Sequence, residues 1–297
     1  MQKIFLTGSS GFVGSYVKSY FESKYQFINY QKNTKPEIQD CDFVLHFAGK
    51  AHDLRNNTNA NSYYEVNTEL TKYLFDEFLL SEANVFIFLS SVKAVADNLT
   101  TILLENHLPK PETHYGKSKL LAENYILSKV IPEGKRVYIL RPCMIHGPGN
   151  KGNLNLLFKI VKNGLPWPLG SFMNERSFCS IDNLCFIINE LIEKNQIQSG
   201  IYNIADDDTL STNTLIQLIS KSLGVKTSIW KIPKLFVIGF AKIGNVFKLP
   251  LNTERLKKLT DTYIVSNQKI KNAINTTLPF SSKDGLLKTL NSLIDNA

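Results

Sequence analysis

The chain has 297 residues, with 34 Lys and Arg against 26 Asp and Glu, a formal net charge of +8, 43% hydrophobic and 20% charged residues. That length and balance exclude a disordered or fibrous chain and suffice for one large domain or two modest ones. The lysines are spread along the chain with acids between them and no basic block is interleaved with aromatics, so no nucleic-acid partner is expected, whereas anionic ligands such as phosphates are.

Lys3 to Leu6 read as a buried strand, and Val13 to Ser23 as a helix with Val17 and Phe21 on one face. Between them lies Thr7-Gly8-Ser9-Ser10-Gly11-Phe12-Val13-Gly14, a glycine-rich strand-to-helix turn. Gly8 permits the tight turn, Gly11 lets the backbone approach a phosphate, and Gly14 lets the helix pack closely on the sheet. Ser10, Phe12 and Val13 complete the cradle. The helix N-terminus then offers free N–H groups and partial positive charge to a dinucleotide pyrophosphate. A second strand, Phe27 to Tyr30, runs into Gln31 and Lys32. The acid that normally holds the ribose 2′-hydroxyl of NAD at this point is missing, and Lys32 can pair with a 2′-phosphate. NADP(H) is the expected cofactor and NAD(H) the alternative.

Asp42 to Phe47 and Val85 to Leu89 are further apolar runs, with a helical pattern from Tyr64 to Leu80 between them. A helix from Tyr115 to Ser128 and a strand from Arg136 to Leu140 follow. This alternation predicts an α/β fold, a Rossmann-like doubly wound parallel sheet, with ligands at the carboxyl ends of the strands. Ser90 and Ser91 stand at one such end. Tyr115 and Lys119 are four apart on a helix and share a face. An ammonium beside a phenol, together with the charge of oxidised nicotinamide, lowers the phenol's pKa from about 10 and makes it a usable general acid or base. Ser91 can hydrogen-bond the reacting oxygen and hold it in line with Tyr115.

After about residue 150 the chain becomes rich in Gly and Pro. Gly200 to Ala205 reads as a return strand, and Leu210 to Leu223 and Asp284 to Leu293 as helices. Residues 1–150 are therefore expected to form the dinucleotide-binding domain, with segments around 177–206 returning to it, and 151–297 a smaller mixed α/β domain for substrate. Leu235 to Ala241, with Phe247, is far shorter than the roughly 20 residues of a bilayer span. It reads as a core or subunit-contact helix, or as a weak peripheral membrane contact. Cys41, Cys143, Cys179 and Cys185 show no metal or redox spacing and read as buried thiols in a reducing compartment. His46, His52, His107, His114 and His146 lack ligand spacing, so no metal is expected. No basic, then apolar, leader precedes Lys3, and the protein is expected to be cytoplasmic.

These motifs together resemble the extended short-chain dehydrogenase/reductases, and specifically the nucleotide-sugar epimerase/dehydratase superfamily. The resemblance covers nearly the whole chain: the turn at Thr7–Gly14, HFAG at His46–Gly49, VNT at Val66–Thr68, Ser90-Ser91, YGKSK at Tyr115–Lys119, Arg141-Pro142, GPG at Gly147–Gly149 and RSF…IDNL at Arg176–Leu184. It implies that Phe47, Ala48 and Gly49 line the cofactor, that Asn67 supports the site, and that Cys143 flanks the nicotinamide. It implies Ser91, Tyr115 and Lys119 as catalytic residues, Asn153, Leu154, Leu169 and Gly170 as contacts to a nucleotide diphosphate, and Arg176 as its arginine. A homodimer through the helices at 64–80 and 115–128 is also implied.

The 4,6-dehydratases of this superfamily carry Asp-Glu where this chain has Val92-Lys93, so water elimination is not expected. Redox at a sugar carbon is left. The stretches SSVKAV, KGNLNLL and GLPWPLG look closest to bacterial enzymes of UDP-amino sugars. The expected activity is a UDP-4-keto-6-deoxy-amino-sugar 4-reductase of surface polysaccharide synthesis, acting on a UDP- or dTDP-sugar; the alternative is a UDP-sugar 4-epimerase with retained NAD. A hydroxysteroid-type dehydrogenase and a non-catalytic dinucleotide sensor are weaker readings. Two departures stand out. Val95-Ala96 replace the usual Tyr-Gly, and Asn33 to Gln39 is too short for the usual helix and third strand, so the adenine side of the cofactor site is expected to be cut back.

Overall fold

The structure, a computed structural model, describes residues 1–32, 34–51, 60–150, 153–247 and 251–295. In chain order it comprises β1 (Lys3–Thr7), α1 (Phe12–Phe21), β2 (Gln26–Asn29), β3 (Phe43–His46), α2 (Asn61–Tyr64), a π turn (Glu65–Glu69), α3 (Leu70–Leu80), β4 (Val85–Leu89), a short 3-10 turn (Val92–Ala94), α4 (His114–Leu127) and β5 (Arg136–Pro142). Next come β6 (Met144–His146), α5 (Asn153–Lys162), β7 (Arg176–Ser180), α6 (Ile181–Glu193), β8 (Gly200–Ile204), β9 (Thr209–Leu210) and α7 (Thr212–Ser222). The last elements are α8 (Lys234–Phe247), α9 (Thr253–Thr260), α10 (Gln268–Ile274) and α11 (Ser282–Asp295).

Six strands form one sheet in the order β2-β1-β3-β4-β5-β8, every pair parallel. The near-continuous apolar runs are explained by burial on both faces. Ile4, Leu6, Leu45, Ile87 and Leu140 point into one core with α1 and α6, and their neighbours Phe5, Val44, Phe86 and Ile139 into another with α3 and α4. Aromatic side chains fill the second core. Phe75 and Phe86 lie 5.0 Å apart edge to face, and Phe78 stands 5.2 Å from Phe86. Each such ring, taken out of water, contributes roughly 2–3 kcal/mol.

From β1 the chain runs outward to β2 and then crosses back to β3, so the carboxyl ends of β1 and β3 flank a crevice at the switch point. β2 is an edge strand of this sheet. The return strand expected at Gly200 to Ala205 is β8, which pairs with β5, Leu140 opposite Tyr202. A second sheet, β6-β7-β9, and a third core formed by α5, α7, α8, α9 and α11 occupy the later part of the chain.

The expected helix from Tyr64 to Leu80 is not one regular helix. The π turn interrupts it, and the extra residue turns Asn67 and Thr68, both buried, toward α4. There Asn67 Nδ2 donates to Ser118 Oγ at 2.9 Å and Thr68 Oγ1 to the Ser118 carbonyl at 2.8 Å. Such interruptions recur at functional sites.

Candidate active site

The glycine turn connects β1 to α1. Gly8 has φ +74°, and a Cβ there would meet the Ala48 nitrogen at 2.7 Å, so both conformation and the closeness of the β3 end require glycine. A Cβ on Gly14 would stand 2.1 Å from the Gly8 carbonyl oxygen. The Gly11 N–H donates to the Gly8 carbonyl at 2.9 Å and closes the turn. Gly11 is the N-cap of α1 and offers no capping side chain, so the first amides of this 10-residue helix face the crevice unclaimed by a cap. Ser10 and Gly11 are exposed at its mouth, with Phe12 and Val13 half-buried behind them. This uncapped cradle fits the pyrophosphate of a dinucleotide.

Behind the cradle runs a chain of hydrogen bonds. Ala48 N–H donates to Thr7 Oγ1 at 3.0 Å, and Thr7 Oγ1 lies 2.7 Å from His46 Nδ1. His46 Nε2 lies 2.8 Å from Thr71 Oγ1, which donates to the Asn67 carbonyl at 2.7 Å. The Thr71 proton is thus committed, and the network assigns the His46 proton to Nε2. Asn67 in turn accepts from the Lys50 N–H at 2.8 Å and donates to the Lys50 carbonyl at 3.1 Å and to Ser118. Burial pushes the His46 imidazole down to about 3, and the nearby Lys119 adds to that, so the ring is neutral. His46 is the satisfied structural histidine that its strand position suggests. His52 lies outside the described residues.

Ser91, Tyr115 and Lys119 come together at the ends of β4 and α4. Ser91 follows β4 and caps the 3-10 turn, its Oγ accepting from the Lys93 N–H at 3.2 Å. Tyr115, in the first turn of α4, is half-buried and hydrogen-bonded to Ser91. Lys119 is 3% exposed; its Nζ donates to the Leu89 carbonyl at 2.8 Å and lies 4.6 Å above the Phe88 ring. It also lies 3.1 Å from where a Gly49 Cβ would stand. Glycine at 49 therefore keeps space open over the lysine.

Burial first, and then Glu123, push the Tyr115 phenol above its ordinary value, and the Ser91 hydrogen bond pulls the other way. Burial pushes Lys119 down to about 7, against the opposing pull of Glu123. The protein's own groups thus favour a neutral phenol, because desolvation penalises the phenolate more than the hydrogen bond rewards it.

Several contributors escaped the sequence reading. Glu123, one turn beyond Lys119 on the same face of α4, is fully buried. It accepts from Ser90 Oγ and from Arg141 Nη2 at 2.6 Å and Nε at 3.0 Å. Its i, i+4 spacing from Lys119 was the available signal. Lys93 points across the site: its Nζ donates to the Asp97 carbonyl at 2.8 Å and sits 4.2 Å over the Tyr263 ring. Burial pushes Lys93 down to about 8. Tyr263 Oη donates to the Ala96 carbonyl at 2.7 Å, so an aromatic from far along the chain reaches the Val95-Ala96 stretch. No local signal could have shown that.

Arg176 opens β7, half-buried, with Nη1 donating to the Lys258 carbonyl. Burial lowers its pKa, and the charge of Asp261 opposes that. Lys93 is in turn disfavoured by Arg176 and Lys258, which marks one shared cationic cluster. Cys143, 7% exposed, follows β5, its N–H donating to the Ile204 carbonyl at 3.0 Å. Phe47 is 8% exposed, in the crevice wall beside Ala48 and Gly49. Lys32 is exposed just past the edge strand. Leu154 and Leu169 are 2% and 3% exposed inside the third core, and a Cβ on Gly170 would meet Ile229 Cγ2 at 2.6 Å. Those three sit in packing rather than in the cluster around Tyr115. The Asn153 side chain lies outside the described residues.

A family model described as the NAD dependent epimerase/dehydratase family matches residues 4–205. UDP-glucose 4-epimerase of Vibrio cholerae is 26% identical to this chain over 322 residues, covering 99% of it and 96% of its own length. The structure of UDP-glucuronic acid 4-epimerase from Bacillus cereus in complex with NAD has a TM-score of 0.76 at 19% identity, covering 99% of each chain. That of RMD from Pseudomonas aeruginosa complexed with NADPH has a TM-score of 0.74 at 20% identity, covering 100% of each. Both structural likenesses establish the shared fold. Nucleotide-sugar epimerases and reductases both stand among the relatives.

Proposed function

The chain belongs to the NAD dependent epimerase/dehydratase family, the extended short-chain dehydrogenase/reductases, and from that membership we propose that it is a 4-reductase of a UDP-4-keto-6-deoxy-amino sugar. The observation that carries this reading is the meeting of Ser91, Tyr115 and Lys119 at the ends of β4 and α4, with the Tyr115 phenol hydrogen-bonded to Ser91. Lys93, in the place of a dehydratase acid, is turned toward Tyr263, which supports redox over water elimination.

Gly8, Ser10, Gly11, Phe12, Val13 and Gly14 would hold the pyrophosphate, Phe47 to Gly49 and Cys143 would flank the rest of the dinucleotide, and Lys32 would pair with a 2′-phosphate. NADPH held there would supply the hydride. Ser91 hydrogen-bonds the 4-keto oxygen and fixes it against Tyr115. As the carbonyl carbon becomes tetrahedral, the Tyr115 Oη–H bond breaks and its proton passes to the oxygen, giving the 4-hydroxyl. Lys119 then stabilises the phenolate left behind. Lys93 and Arg176 bind the diphosphate of the nucleotide sugar, Arg176 in a fork that matches two phosphate oxygens. Residues 1–150, with the returning segments around 177–206, serve the dinucleotide, and 151–297 serve the sugar nucleotide. The chain pairs through α3 and α4, whose outward faces show Tyr73 (42% exposed) and Leu121 (47% exposed).

The competing reading, a UDP-sugar 4-epimerase, is favoured by a relative matched along almost its whole length. Incubation with UDP- and dTDP-linked 4-keto and 4-hydroxy sugars, with and without NADPH, followed by NMR, separates the two. Stoichiometric NADPH consumption with a 4-keto sugar supports the reductase. Interconversion of 4-hydroxy epimers without added cofactor overturns it.

A further inference from the structure

Helix α8 presents an apolar face to solvent. Leu235 is 84% exposed, Phe236 72%, Phe240 64%, Ile243 50%, Val246 76% and Phe247 71%. At about 100° per residue these six side chains fall within an arc of roughly 140°. Val237, Ala241 and Gly244, on the adjoining arc, hold the helix to the third core. Lys234 and Lys242 lie on the other border of the stripe, both exposed. A stripe of large apolar side chains on one helix is more than scattered surface leucines, and such patches mark contact sites.

The surrounding charge identifies what covers it. Charge is not spread evenly, although lysines occur along the whole chain. Residues 209–260 hold nine of the 34 Lys and Arg but one of the 26 Asp and Glu, which leaves 25 of each sign in the rest of the chain. The whole net charge of +8 therefore resides in the stretch that carries α8. Lys221, Lys226 and Lys231 before the helix and Lys257 and Lys258 after it are all exposed. A second copy would bring the same positive field against itself and be repelled. A lipid surface of negative charge attracts it while taking up the apolar stripe.

We propose that α8 docks in the plane of an anionic phospholipid surface, with Phe236, Phe240, Ile243 and Phe247 in the acyl boundary and Lys234 and Lys242 at the headgroups. No described helix is long and apolar enough to cross a membrane, and the 14 residues of α8 lie along the interface instead. Trp230, 54% exposed just ahead of the helix, is a built-in reporter, whereas Trp167 is buried at 2%. This docking stands independently of the reaction assigned to Tyr115.

Flotation of the full chain with phosphatidylcholine vesicles, and with vesicles containing one-third phosphatidylglycerol, tests the proposal. The protein is expected to float with the anionic vesicles alone and to lose roughly ten-fold in binding between low and half-molar salt, as screening dictates. Trp230 emission should shift to the blue on binding. Phe236→Ser with Phe240→Ser, and separately Lys234→Glu with Lys242→Glu, should each reduce binding about ten-fold or more. All four side chains are exposed, so circular dichroism and thermal melting verify that the variants fold. Absence of flotation with anionic vesicles overturns the proposal, as does flotation that neither pair of substitutions weakens. Self-association in sedimentation that Phe236→Ser with Phe240→Ser abolishes would also overturn it, by making a second copy the occupant.

Discussion

His46 and Thr7 are joined by a 2.7 Å hydrogen bond that ties the carboxyl end of β3 to the turn after β1. Through Thr71 the same ring reaches the carbonyl of Asn67, whose side chain holds α4. The cofactor cradle and the helix bearing Tyr115 are thus positioned by one buried polar network. Such a network rigidifies its surroundings only when every member is satisfied.

That ring predicts acid sensitivity. Its folded pKa, about 3, lies below the ordinary 6.5, so the fold favours the neutral form. The stabilisation is present above pH 6.5 and is lost as pH falls toward 3, on the order of a few kcal/mol. Chemical denaturation across this range should show the decline. His46→Gln should be less stable at pH 7 but flatter with acid, and an unchanged slope would remove His46 from the account.

Tyr115→Phe should lower kcat by roughly 100-fold or more, the usual size of a lost general acid, while the Kd for NADPH stays within about two-fold. Ser91→Ala should lower kcat by a comparable factor, as loss of one donor to the reacting oxygen does. Steady-state kinetics and fluorescence titration of the cofactor read both effects.

Lys32→Ala should weaken NADPH binding by about ten-fold or more and leave NADH nearly unaffected, since one charge-assisted contact to a phosphate contributes about 1.5–3 kcal/mol. Tighter binding of NADH than NADPH by the unaltered chain would remove Lys32 from this role.

Burial penalises the charge of the Lys93 ammonium and pushes its pKa down to about 8. In the proposed diphosphate role, its attraction is full below that pH and fades above it. KM for the nucleotide sugar should rise as pH passes 8, with kcat changing less. Lys93→Arg, charged throughout, should abolish that rise, and Lys93→Met should raise KM at every pH.

Glu123 and Arg141 form a buried pair behind the site, 0% and 3% exposed at their side chains. Glu123→Gln leaves Arg141 an uncompensated buried charge and should cost about 3–5 kcal/mol in urea unfolding. Arg141→Met with Glu123→Gln should cost less than the sum of the two single changes.

Much of this was legible in the residues taken in order. Apolar runs of four to seven residues gave β1, β3, β4, β5 and β8 because strands buried on both faces admit little else. The turn at Gly8–Gly14 and the Tyr115, Lys119 spacing were readable because each lies within one turn or one helix face. What stayed hidden joins residues far apart in the chain. Tyr263 reaches Ala96, Lys93 faces Tyr263 and Arg176, and the π turn aims Asn67 at Ser118. Sequence alone also showed an apolar stretch at Leu235–Ala241 without showing which side of it is covered. Periodicity and spacing are properties of a single segment, and they determined the sheet, the glycine turn and the shared face of Tyr115 and Lys119. The balance of burial and hydrogen bonding at Tyr115, and the outward face of α8, depend on which distant segments pack against them, and only the tertiary structure decided those.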